Sequence, residues 1–173
     1  MGQSFIITLR EGLEAALIVA IILAYLRRVD YARGVPAVWW GVAGAVALSL
    51  AGAGVMFALG TALEGRAEEI FEGTAMLVAV GVLGWMVVWM KHQAHRIKGR
   101  LEAQVQDALH TGSSVALVSL AFVAVGREGL ETALFLFAAS ETASHLETLA
   151  GGVAGLAIAI ALGVGINKGS RRL

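Results

Sequence analysis

Two stretches of this chain, TLREGLEAAL at residues 8–17 and VGREGLETAL at 125–134, carry the same five letters, REGLE, inside runs that are otherwise apolar. Each run holds an arginine and two glutamates among leucines, alanines and valines. A charged side chain at the middle of a bilayer costs at least about 2.5 kcal/mol. Six of them are tolerable only if they face a cavity, pair with one another or bind an ion. Any fold open to this sequence has to take those charges out of the lipid and bring them toward each other.

The apolar runs make the bilayer the relevant solvent. Hydrophobic residues fill 58% of the 173 positions, with 22 glycines and one proline; soluble domains hold roughly 45–50%. Crossing a bilayer takes about 20 residues of helix, and five stretches qualify: roughly 4–26, 37–60, 70–90, 113–138 and a shorter 149–166. The first is not a signal peptide, because it lacks a basic leader and its charges interrupt the hydrophobic stretch. MGQSFI also has Ile6 where a myristoylation signal needs Ser or Thr.

Basic residues gather after the first span (Arg27, Arg28, Arg33), the third (Lys91, Arg96, Lys98, Arg100) and the fifth (Lys168, Arg171, Arg172). All three groups fall on one side of a five-span chain, and positive charge marks that side as cytoplasmic. The protein is therefore expected in the cell membrane, multi-pass, with its N-terminus outside and its last residues inside. Trp39, Trp40, Trp85 and Trp89 sit near span ends, as interfacial anchors do. The expected fold is all-α, a polytopic transmembrane helix bundle forming a single membrane domain over 1–173. A polar, helix-compatible linker at 91–112 lies along the cytoplasmic surface.

Glu11 and Glu128 are 117 positions apart (128 − 11), and the match extends to Ala16 with Ala133 and Leu17 with Leu134. Self-similarity over that offset marks a duplicated half. The first unit contains three spans, so the second copy enters the membrane in the opposite sense. Inverted repeats of this kind hold their site near the midplane. Repeat one covers about 1–90 and a partial repeat two about 113–166, which leaves the second three-helix repeat incomplete.

Helix geometry then supplies chemistry. Glu11 and Glu14 project from one face, as do Glu128 and Glu131, while Arg10 and Arg127 reach the second glutamate of their motifs at i, i+4. Antiparallel packing of the two helices lets all four carboxylates converge, and Gly12 and Gly129 allow a neighbouring backbone or an ion to approach closely. A pure packing device explains one glutamate per arginine. The other two leave an excess of two negative charges that a cation balances, with Arg10 and Arg127 tuning the site. Carboxylate oxygens suit hard multivalent cations, and with no cysteine in the chain there is no thiolate for a soft one.

The third span opens with EEIFEG. Glu69 and Glu72 form an outer acidic patch that gathers cations, with Gly73 beside Glu72 as a further close-approach glycine. Glu68 is read as a solvated helix start, favourable beside a helix N-terminus. His92 and His95 have a metal-pair spacing without a third ligand in register, so they are read as solvated linker; His110 and His145 are read as loop residues. Zero formal net charge gives no reason to expect nucleic acid.

R-E-G-L-E in the first span, a second R-E-G-L-E in the fourth and FEGTAML opening the third resemble the oxidase-dependent iron permease family, which includes the fungal high-affinity iron permease, bacterial iron permeases and lead-transport relatives. The resemblance covers essentially the whole chain. It implies that Arg10, Glu11, Glu14, Arg127, Glu128 and Glu131 handle iron, that Glu72 matches the acidic position of the third span, and that iron arrives as Fe(II), is oxidised outside by a partner oxidase and passes on as Fe(III). It also implies a permease rather than an enzyme, with iron as substrate and no permanently bound cofactor. An extracytoplasmic oxidase or iron-delivery protein is the expected partner, beside the lipid bilayer and a further copy of the chain in a homo-oligomer. The family has seven spans, so the chain reads as a C-terminally truncated or divergent short member. Rival readings are a carrier of another multivalent cation such as lead or manganese, a proton or cation channel, and a non-transporting scaffold for an oxidase.

Overall fold

The computed structural model describes the backbone of residues 1–93, 97–110, 114–141 and 143–169, and the side chains of 1–88, 99–109, 114–141 and 143–165. These residues form α1 (Gly2–Arg28), α2 (Val35–Ala62), α3 (Arg66–Gln93), α4 (Ile97–His110), α5 (Ser114–Ser140) and α6 (His145–Gly169), with no strand among them. Three segments, Ala32–Ala62, Arg66–Val88 and His145–Gly165, are long and apolar enough to cross a membrane by length and composition. Helices α1 and α5 have comparable length, 27 residues each, and carry the motif charges.

The helix ends follow from local chemistry. Arg27 and Arg28 close α1, where positive charge suits the negative end of the helix dipole. Asp30 then takes a left-handed φ of 54°, and the Tyr31 N–H donates back to the Leu26 carbonyl at 2.9 Å. A 3₁₀ turn at Ala32–Gly34 leads into α2, whose first turn holds Pro36, a position where a missing N–H costs nothing. Between α2 and α3 the chain turns at Gly65, with φ 62°, a conformation glycine adopts without penalty. Both connections are tight, so α1, α2 and α3 run alternately up and down.

Small residues decide which helices pair. Along α1, Ser4, Thr8, Gly12 and Ala16 recur every four residues; along α6, so do Gly151, Gly155, Ala159 and Gly163. A Cβ added to Gly151 would lie 3.2 Å from Ser4 Cβ, one on Gly12 2.7 Å from Ala159 Cβ, and one on Gly163 2.7 Å from Ala16 Cβ. The contacts climb in step, so α1 and α6 are parallel. Helices α2 and α5 do the same: a Cβ on Gly41 would lie 2.9 Å from Ala121 Cβ, one on Gly129 2.8 Å from Ser49 Cβ, and one on Gly60 3.1 Å from the Phe137 ring. In lipid, where apolar burial gives no net drive, such close backbone approach is what holds helices together.

The pairing is an exchange between repeats. The first helix of each repeat packs on the second helix of the other, and Ser49 stands to Gly129 as Ala159 stands to Gly12. Since α1 opposes α2, and α2 parallels α5, α1 and α5 run in opposite directions. Helix α3 sits outside this four-helix unit, touching α5 and α2 and burying Ala75, Ala79 and Met86. Phe57 and Phe71 each meet the Phe137 ring edge-on, with centroids 5.5 Å apart, and so tie α2 and α3 to α5 near the Met1 end.

The opposite end is filled by a core of Ile22, Leu23, Leu26, Val38, Leu117 and Val105. Val105 comes from α4, whose Leu101, Val105 and Ala108 recur along one face and are buried against the bundle. The 91–112 linker thus contains a helix docked on α1 and α5, where the sequence suggested a strip lying along the membrane surface. Arg100, Gln104, Gln106 and Asp107 are exposed on the rest of α4. The side chains of Trp89, Lys91, His92, Arg96, Lys98 and His110, and all of His95, lie outside the described residues, as do the basic side chains after α6. Trp39, Trp40 and Trp85 are exposed at 52%, 74% and 74%, consistent with contact to the lipid interface.

The register of α1 on α6 gives a first test. A Cβ on Gly155 would strike Thr8 and the Phe5 carbonyl, whereas one on Gly54 would meet nothing within 4 Å. Gly155→Leu should destabilise the purified protein by at least about 1–3 kcal/mol through overpacking. Gly54→Ala should be neutral or stabilising by up to about 1 kcal/mol. Thermal unfolding in detergent measures both, and equal midpoints would mean that the small-residue stripe does not hold α1 to α6.

Candidate metal centre

Opposed packing of α1 and α5 puts the two motifs face to face. Glu11 and Glu128 are 1% and 4% exposed, and their carboxyls face each other across the two helices. Glu131, one turn further along α5, joins them: each of Glu11, Glu128 and Glu131 offers a carboxylate oxygen, all within 4.8 Å of one another. Like charges this close repel strongly, so the group needs a cation or a shared proton between its members.

The arginines lie beside this trio. Arg10 reaches Glu14 Oε1 through Nε at 3.3 Å and Glu11 Oε1 through Nη2 at 3.6 Å. Arg127 Nε lies 3.4 Å from Glu128 Oε1 and 3.1 Å from Glu131 Oε1. Each arginine therefore spans both glutamates of its own motif, as the i, i+4 spacing predicts. The second oxygens of Glu11, Glu128 and Glu131 are buried and have no hydrogen-bond partner. Three carboxylates with a spare buried oxygen apiece form an oxygen-only donor set of the kind hard multivalent cations take.

The four motif glutamates do not share one environment. Glu14, with its side chain 27% exposed, is turned to Arg10 and lies outside the group of three. Repeat two contributes two carboxylates to the trio and repeat one contributes one. Arg10 Nη2 also donates to the Met86 sulfur of α3, a contact that no sequence pattern indicates. Gly12 and Gly129 both lie at close helix crossings, against Ala159 and Ser49 respectively, and a Cβ on Gly73 would meet nothing within 4 Å.

The outer acidic residues form a separate group near the Met1 end. Glu72 is half-buried and its carboxyl neighbours that of Glu141, which follows α5. Partial burial, followed by the neighbouring Glu72 carboxyl, holds Glu141 above the usual carboxylate range. Glu68 adds to the negative field there, while Glu69 is exposed. Sequence reasoning singled out Glu72 and missed Glu141. The signal available was that Glu141 is an acidic residue on the same side of the membrane as the third-span patch. His145 begins α6 and meets Phe57 edge-on, with ring centroids 6.3 Å apart.

A cavity of about 340 Å³ runs between α1, α2, α5 and α6. Glu11 and Glu128 line it, with Gly12 and Gly129 between helices and the hydroxyl residues Thr8, Ser49, Thr132 and Thr148 on its walls. Ala15, Val46 and Val125 close it about one turn beyond the carboxylates, and its remaining lining, from Leu50, Ala53 and Phe57 of α2, Ala133 and Leu136 of α5 and the first half of α6, extends it from the carboxylates toward the Met1 end.

The model of the Iron permease FTR1 family matches residues 1–173. The ferrous iron permease EfeU of Escherichia coli O6:K15:H31 is 42% identical over 176 residues, covering 100% of this chain and 63% of that protein. The ferrous iron permease EfeU of Shigella sonnei gives the same figures, and that of Yersinia pestis is 40% identical, covering 100% of this chain and 62% of its own length. The chain thus spans somewhat less than two thirds of the curated relatives it matches. No solved structure matches it.

A cation held by the three carboxylates would stabilise the folded protein by mass action, by about 2.7 kcal/mol at a hundred times its dissociation constant. Ferric iron, or redox-inert gallium(III), should therefore raise the unfolding midpoint of the purified protein. Glu128→Gln combined with Glu131→Gln should abolish the rise. An undiminished rise in the double variant would place the ion elsewhere.

Proposed function

The chain belongs to the iron permease FTR1 family, and from that premise we propose that it is the iron-conducting core of a membrane permease, with Glu11, Glu128 and Glu131 as ligands of the ion in transit. The observation that carries this reading is the convergence of three carboxylates, Glu11 and Glu128 buried and Glu131 half-buried, from two oppositely directed helices, each keeping a buried oxygen without a partner. A site of six motif charges is costly in lipid and becomes reasonable once an ion completes it. Arg10 and Arg127 offset part of the negative charge, so that the site neither repels itself apart when empty nor holds the ion too tightly to let it go. Glu14 acts through Arg10, and Glu72 with Glu141 and Glu69 gathers cations near the Met1 end.

In this proposal the Met1 end is extracytoplasmic and the α4 end cytoplasmic, in line with the distribution of basic residues. The ion enters along the 340 Å³ cavity from outside. The proteins EfeU are named ferrous iron permeases, and the oxygen-only donor set favours the ferric ion. Oxidation outside the membrane, by a partner oxidase, before the ion reaches Glu11 reconciles the two.

Two measurements test the reading. Glu11→Gln, Glu128→Gln and Glu131→Gln should each lower iron uptake by cells at least about tenfold at equal membrane abundance, equivalent to about 1.4 kcal/mol of transition-state stabilisation. Glu14→Gln should cost less. Arg10→Lys, which keeps charge and loses the planar fork, should fall between. Wild-type uptake by Glu128→Gln and Glu131→Gln together would return the motifs to a packing role, and metal-independent proton flux would favour a proton channel. For orientation, the chain has no native cysteine; single cysteines at the exposed positions Glu64 and Gly99 should label with an impermeant thiol reagent from outside and inside respectively. Labelling of both from one face would overturn the assignment.

A further inference from the structure

The cavity contains one hydroxyl that the fold itself leaves unused. Thr148 lies one turn into α6, is 2% exposed, and lines the same cavity as Glu11 and Glu128. Its N–H donates to the Ser144 carbonyl at 3.0 Å, but its Oγ1 has no hydrogen-bond partner. A hydroxyl within a helix ordinarily turns back onto a carbonyl three or four residues earlier. The other hydroxyls of the cavity do so: Thr8 to the Ser4 carbonyl at 3.0 Å, Ser49 to that of Ala45 at 2.8 Å, and Thr132 to that of Glu128 at 2.7 Å. Thr148 alone among these four does not.

A buried hydroxyl without a partner is unfavourable and uncommon, so its retention in a cavity points to a partner that comes from outside the fold. The position says what kind. With Gly151 against Ser4 and Ala159 against Gly12, Thr148 is level with the start of α1, about 15 Å along the helix axis from the level of Glu11 at about 1.5 Å per residue. Between the two levels α6 presents Leu149, Gly152, Val153 and Leu156 to the cavity. Thr8 and Thr132 stand along this largely apolar stretch with their hydroxyls given to carbonyls, so the oxygens free for a cation are those at its floor and, at its upper end, that of Thr148.

We propose that the Thr148 hydroxyl is an outer oxygen subsite, which takes a hydrated multivalent cation at the Met1 end of the cavity and passes it to the carboxylates of Glu11 and Glu128. The inference rests on the cavity being the route of the ion, as in the proposed function. A neutral hydroxyl suits such a subsite because it replaces one water of the hydration shell without adding charge, and binding along a conduction path has to be weak enough to let the ion leave.

The test uses native-length protein in cells, with iron uptake measured against iron concentration and normalised to membrane abundance. Thr148→Val keeps the shape and removes the oxygen. It should raise the half-saturating concentration about tenfold, the scale of one hydrogen-bond-type contact to a charged species, while Thr148→Ser stays within about twofold of wild type. If the hydroxyl is only an unsatisfied packing group, Thr148→Val will instead leave half-saturation unchanged, and the proposal is wrong. Should Thr148→Val fail to reach the membrane, Thr148→Cys decides the matter in this cysteine-free chain. Gallium(III) should slow its labelling by a small impermeant thiol reagent, and labelling indifferent to gallium overturns the subsite. Glu128→Gln run in parallel separates the two readings. Lost uptake there with an unaffected Thr148→Val sinks the subsite alone; normal uptake there sinks the carboxylate route on which it rests.

Discussion

The repulsion among Glu11, Glu128 and Glu131 is the constraint that the rest of the bundle serves. Two unit charges 4 Å apart interact by about 4 kcal/mol at an effective protein dielectric near 20, and three carboxylates lie within 4.8 Å of one another. No arrangement of leucines offsets that. What does is a pair of arginines, each bridging the glutamates of its own helix, together with room for a cation. Both arginines ride on the helices that carry the glutamates, so neutralisation is local to each repeat, whereas the three-carboxylate cluster exists only when the repeats meet.

Meeting requires helices to come closer than ordinary side chains allow. The four-residue stripes of small residues on α1 and α6, and the matching positions on α2 and α5, let backbones approach until a single added Cβ would collide. Because the first helix of each repeat uses the second helix of the other, neither repeat can close its own interface. The exchange locks α1 and α5 in opposite senses at the centre and gives the motifs their only common level. Glycine abundance, which reads as a weak composition signal, is here the device that sets the distance between charges.

Much of this was legible in the letters, and the reasons for the rest are specific. The all-helical fold, the breaks between the first three spans and the opposed motifs follow from apolar run length, the charged segments between runs and the repeated REGLE. The sequence overstates the symmetry of the site, because identical motifs say nothing about their neighbours. Glu14 turns to Arg10, whose guanidinium also contacts Met86, and stays out of the group its counterpart Glu131 joins. The docking of α4 was hidden by its composition: Leu101, Val105 and Ala108 form a narrow apolar edge on an otherwise polar helix, and a linker reading averages over both faces. Glu141 was missed because its partner, Glu72, is distant in sequence and only the α3–α5 contact brings them together.

That same α4 makes the two ends of an inverted repeat unequal. At the Met1 end the four central helices leave a cavity down to the carboxylates; at the other end Ile22, Leu26, Val38 and Leu117 fill the space and α4 covers them. Helix α4 lies between the repeats in the chain and belongs to neither, so rocking one repeat against the other does not by itself open this end. Val105 and Leu101 must also come away from α1 and α5, and exposing a buried Val or Leu costs about 1.5–3 kcal/mol each. The closed end is therefore favoured by several kcal/mol over any state that frees α4. In the proposed permease such an oily plug, which parts only at a cost, would keep protons and small cations from following the field past the carboxylates.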